Sequence, residues 1–97
     1  MNNQSELVIP PAALEHADAA EMVRAWVANK ALHCTLRIGV WKDVGAWGIL
    51  LADLARHVAN AHHEQDGADI EASLARIRAA FAAEMDTPTD APSGGFA

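Results

Sequence analysis

A chain of 97 residues with a net charge of −6 has room for a single hydrophobic core, and its seven scattered Lys and Arg form no stripe for a phosphate backbone, which argues against nucleic acid as a partner. The most apolar run, Val44 to Ala52, stops at Asp53 and falls well short of the roughly 20 residues of a membrane span, so no membrane insertion is expected. The hydrophobic share of 52% is dominated by alanine, which favours helices more than it fills interiors and leaves Trp26, Trp41, Trp47, Phe81 and a limited set of Leu, Ile, Val and Met as core material.

Residues 1–5 are expected to be flexible, and MNNQSELVIPPAAL lacks the basic start and long apolar run of a secretory signal. Pro10 and Pro11 oppose a helix start and favour an extended Ile9, so Leu7 to Ile9 reads as a short edge strand. Asp18 followed by Glu21 has the form of a capping pair. It opens a first helix with Ala19, Met22, Val23, Trp26 and Val27 at spacings of three and four on its buried face.

Leu32 to Ile38 alternates with period two: Leu32, Cys34, Leu36 and Ile38 on one side, His33, Thr35 and Arg37 on the other. One strand cannot satisfy its own N–H and C=O groups. It is therefore expected to pair antiparallel with Leu7 to Ile9, with its twin across a two-fold axis, or with both. Asp43 then reads as the N-cap of a long central helix on which Trp47, Leu50, Leu51, Leu54, Val58 and Ala61 share a side, ending near Gln65. Beside that face Gly48, Ala52, Ala55 and Ala59 form a strip of small residues that lets another helix come close, from this chain or a partner. Gly67 fits a break, Asp69 an N-cap, and Ile70, Leu74, Ile77, Phe81 and Met85 the stripe of a third helix. Pro88 and Pro92 mark the end of regular structure.

The expected fold is thus α+β: three helices, one main strand and a possible N-terminal edge strand. They form a single domain over residues 6–86, with a small antiparallel sheet completed by dimerisation and a disordered tail over residues 87–97.

Cys34 is the single cysteine, so no intrachain disulfide can form and a reducing cytoplasm is the expected location; on the apolar side of its strand it reads as a small core residue. His57, His62 and His63 crowd the end of the central helix, but His57 and His62 are five apart, off the three- or four-residue spacing of helical metal pairs, and no metal or cofactor is expected. Asp53 and His57 do share a face, and a carboxylate four residues before an imidazole can orient it. No Ser, Cys or second carboxylate completes a catalytic set, so no catalytic residue is assigned.

The outer side of the strand carries His33 and Arg37. If alternation runs through Gly39, Trp41 joins them, making a patch in which Arg37 holds a carboxylate and Trp41 supplies a stacking wall. A bulge at Gly39 would instead turn Trp41 into the core.

The combination of IPPAA near the start, LHCTLRIGVW around the strand and AWGILLADLARHVANA in the central helix resembles a family of short bacterial proteins classified only as a domain of unknown function. The likeness runs from about Val8 to Met85 and implies a self-contained protein; it brings no catalytic or binding residues with it. Two functions remain in view. One is a homodimeric structural or protein-interaction module with an unidentified protein partner. The other is a small ligand-binding protein or enzyme with its pocket where two protomers meet.

Overall fold

The segment read as the first helix is an extended strand. In the computed structural model, which describes residues 5–97, β1 (Val23–Ala28) pairs antiparallel with β2 (Ala31–Leu36), Val23 opposite Leu36 and Ala28 opposite Ala31. The two-residue connection explains why the strand wins. Asn29 and Lys30 both have positive φ, 52° and 62°, as in the tight turn whose twist matches that of a hairpin. Valine and tryptophan also favour the pleated state. Met22, Val23, Trp26 and Val27 fit a helical spacing and a strand equally, and the turn decides between them. Glu21 caps nothing; its carboxylate takes Arg24 Nε at 3.2 Å.

The N-terminal edge strand is absent: Leu7 to Ile9 are irregular and exposed. Pro11 instead opens α1 (Pro11–Glu15), a single helical turn, because a proline at the first helical position loses an N–H that would have had no partner there. The expectation of a flexible start over residues 1–5 falls, for residues 1–4, outside the described residues.

The tail expected to lack structure carries a third strand. β3 (Ser93–Phe96) lies parallel to β2, with Cys34 opposite Gly94 and Leu36 opposite Phe96, giving a sheet in the order β1-β2-β3. The sheet is therefore mixed rather than antiparallel, and β2 has a neighbour on each side within one chain. Gly94 makes the approach possible: at φ 132°, a Cβ there would lie 1.8 Å from the Cys34 carbonyl oxygen, so only glycine fits.

The helical half follows its sequence signals closely. α2 (Gly45–Asp66) has Val44, not the expected Asp43, at its N-cap; from one residue further out the Asp43 carboxylate accepts the Gly45 N–H at 2.9 Å. It ends at Gly67, whose φ of 74° lets its N–H bond the His63 carbonyl. α3 (Ile70–Asp86) is capped by Asp69, whose side chain accepts from Ala72 N–H at 2.9 Å. Among the described residues, α3 is the only element packed closely on α2, and Ala59 in the small-residue strip is the one that is fully buried. Ala55 and Ala59 of the strip thus serve packing within the chain, while Gly48 and Ala52 stay exposed.

No other described residue reaches full burial, and sixteen large apolar side chains among the described residues, from Leu7 to Phe96, stay exposed. The chain's radius of gyration is 15.3 Å, against about 12.5 Å for a compact domain of this length. Sheet and helix hairpin are joined chiefly through residues 37–44, and the folded chain leaves much of its apolar surface uncovered.

Candidate functional site

Two concave regions gather the chemistry-bearing side chains. The first lies on the polar side of the hairpin. Residues directly opposite in an antiparallel pair point the same way, so the register places Arg24 with Thr35, and Trp26 with His33, on one face. Arg24 reaches Glu6 and Glu21 at 3.2 Å each. The Arg37 Nε–H donates to the Glu21 carbonyl at 3.0 Å. The Ser93 hydroxyl stands 2.9 Å from His33 Nδ1. A shallow hollow of about 310 Å³ opens between Glu21, Arg24, Thr35 and Arg37. Its guanidinium groups are already engaged by carboxylate and carbonyl oxygens, in exposed contacts of the kind worth at most about 1 kcal/mol.

The second is a larger apolar groove of about 600 Å³, walled by Met22 and Trp41 on one side and by Ile49, Leu50, Leu54 and the Asp53–His57 pair on the other. Trp41 is half-buried and meets Trp47 edge to face, ring centres 5.3 Å apart and planes at 78°, the arrangement that aromatic quadrupoles prefer. That contact draws the loop before α2 back over the first turns of the helix and forms the groove's wall. Asp53 and His57 lie one turn apart on its rim, with no hydrogen bond between them among the described residues.

The structure thus divides the residues singled out from sequence differently. His33 lies on β2 beside Ser93, Arg37 lies one residue beyond β2 and turns to the Glu21 carbonyl at the first hollow, and Trp41 lines the groove with Asp53 and His57. The aromatic ring beside His33 is Trp26, directly across the hairpin. Helical spacing hides Trp26 and Met22 as site residues, and the Asn29–Lys30 turn is the signal in the sequence that reveals the hairpin carrying them. Of the other histidines, His62 Nδ1 approaches Asp66 at 3.7 Å and His63 Nδ1 lies 3.0 Å from the Ala68 carbonyl, both closing the end of α2. Among the described residues, no three His, Cys, Asp or Glu are placed to hold a metal ion, and no helix is long and apolar enough to cross a membrane.

The chain is similar to a solved structure from the photosynthetic bacterium Rhodopseudomonas palustrus CGA009, provisionally described as a pyruvate dehydrogenase, with 32% identity and a TM-score of 0.72. The match covers 94% of this chain and 93% of that one. No curated protein matches the chain. Residues 6–89 match the model of a domain of unknown function, DUF5076, and the chain belongs to that family.

Proposed function

We propose that the chain is a homodimeric structural or interaction module, whose apolar interior is completed by a second copy. The observation that carries this reading is its surface. The chain exposes 8406 Å², where a compact monomer of 10.3 kDa exposes about 5,400 Å². The difference, about 3,000 Å², exceeds the roughly 1,000–2,500 Å² that each chain gives to an obligate dimer. The chain works as a reduced intracellular protein, consistent with its single, half-buried thiol at Cys34. Sedimentation equilibrium should give twice the chain mass at micromolar concentration, with a melting temperature that rises with concentration as mass action requires. A monomer with a concentration-independent melting point overturns the reading.

A second reading is a small-ligand pocket at the protomer interface, favoured by one observation: Trp41, Asp53 and His57 converge on one apolar groove, the composition of many ligand sites. In the dimer, the Trp41 indole N–H should then stay open to a soluble paramagnetic chelate. Full protection would mean that protein fills the groove and would end this reading.

A further inference from the structure

We infer that the groove between Trp41 and α2 takes a small amphipathic cation, an aromatic or alkyl body ending in one ammonium group, with the Asp53 carboxylate as counter-ion and a lone pair of the His57 imidazole as a second acceptor. This inference rests on the small-ligand reading of the groove and adds the chemical class of its occupant.

The groove is apolar at one end and polar at the other. Leu50, Asp53, Leu54 and His57 recur at three and four residues and so share one side of α2, with Ile49 at their margin. At about 1.5 Å of rise per residue, Ile49 and His57 stand about 12 Å apart along the helix axis. Trp41 walls the Ile49 end, held there by its edge-to-face contact with Trp47 in the first turn of α2. The other end is Asp53 and His57. Both are exposed, and among the described residues neither makes a hydrogen bond or ion pair. The volume, about 600 Å³, falls within the roughly 300–1,000 Å³ of small-molecule sites. An apolar trough with one unpaired polar end suits a ligand built of the same two parts.

Charge fixes the sign of the head group. Asp53 is the single carboxylate lining the groove, and no Lys or Arg joins it. An anionic head would meet that carboxylate and, around it, a chain of net −6, whose field draws cations and repels anions. An ammonium brings three N–H donors and no acceptor. Asp53 offers it a charge-assisted hydrogen bond, and His57, one turn further along α2, offers the next acceptor. A hydroxyl head would use the same acceptors but form only a bond with one charged partner, so it binds more weakly than a paired ion. The hollow on the sheet has no such vacancy, because its carboxylate, Glu21, is already paired with Arg24 at 3.2 Å. Of the two concave regions, only the groove combines an apolar wall with a negative charge left to pair.

The test uses the full chain and three probes with one skeleton and different heads: phenylbutylamine, phenylbutanol and phenylbutyrate. Titration calorimetry at pH 8, with tryptophan fluorescence as a second readout, should show the amine binding at least 10-fold more tightly than the alcohol, and the butyrate weakest. Asp53→Asn, a change at an exposed position that circular dichroism should find folded, should bring the amine down to the level of the alcohol. Asp86→Asn at the end of α3 removes the same charge away from the groove and should leave the preference intact. Trp41→Ala should weaken the amine and the alcohol together. If the three probes bind equally, or the butyrate binds best, the cation class is overturned while the ligand groove stands. If Asp86→Asn lowers the amine as much as Asp53→Asn does, the attraction belongs to the whole acidic surface and the assigned counter-ion is wrong. If no probe binds at millimolar concentration, both the cation and the small-ligand reading fall.

Discussion

Replacing Leu54 by alanine separates a fold complete in one chain from one that is shared. In the single chain Leu54 is 49% exposed, so truncation withdraws about half of a leucine's burial, roughly 1 kcal/mol at about 0.8 kcal/mol per buried methylene. If a second copy covers the residue, the loss becomes that of a buried leucine, about 2–5 kcal/mol per chain including the cavity left behind. Counted in both chains, the dimer loses about 4–10 kcal/mol. Urea unfolding followed by far-ultraviolet circular dichroism, at concentrations spanning about 100-fold, reads both effects. The unaltered protein should gain about 2.7 kcal/mol of apparent stability over that range by mass action, and Leu54→Ala should lower the midpoint most at the dilute end. A cost near 1 kcal/mol, with midpoints independent of concentration, would refute the argument that Leu54 is covered.

Three further substitutions test local features. Asp69→Ala removes the carboxylate that accepts the Ala72 N–H at 2.9 Å and should cost about 1 kcal/mol in urea unfolding; no change would mean the cap is unused in solution. Lys30→Gly relieves a positive φ of 62°, where a side chain costs about 1–2 kcal/mol, and should raise the melting temperature by several degrees. A lower melting temperature would show that Asn29–Lys30 does not form this turn. Gly94→Ala should detach β3, because its Cβ would meet the Cys34 carbonyl. Hydrogen exchange should then lose protection at the Ile38 amide, which bonds the Ala97 carbonyl, and keep it at Arg37, which bonds the Met22 carbonyl. Equal protection in the variant would count against the parallel pairing.

The helical half of the fold was legible because its signals are local. Asp43, Gly67 and Asp69 each act within a few residues of themselves, and a 3.6-residue pattern sustained from Trp47 to Ala61 has no strand counterpart. The sheet was less legible because its signals are pairings. Met22 to Val27 fits two periods, and only the turn beyond it selects the hairpin, with Asn29 suited to positive φ and Lys30 a residue that rarely adopts it. β3 was hidden for a similar reason: Gly94 and Gly95 oppose strand formation and leave Phe96 as the one strong strand former, and what places the segment is the open side of β2 some sixty residues earlier. The candidate site inherited both errors. Alternation over Leu32 to Ile38 puts His33 and Arg37 on one side, but β2 ends at Leu36; the sequence leaves Trp41 open between the outer patch and a bulge into the core, and Trp26 reads as part of a helix that does not form.

The pairing of β2 changes what self-association must do. A single strand with two open sides would require a second chain to satisfy its hydrogen bonds. With β1 and β3 on either side, those bonds close within one molecule, and the remaining demand is for burial of side chains. Backbone pairing is directional and fixes register, but apolar burial depends on area, and the uncovered area lies on helices as well as on the sheet. A chain in which alanine supplies most of the apolar count can bring two helices close through Ala55 and Ala59, yet it lacks the volume to roof the leucines beside them. The same small residues that make the α2–α3 contact therefore leave the outer strip of α2 exposed, and apolar cover is what its chemistry accepts.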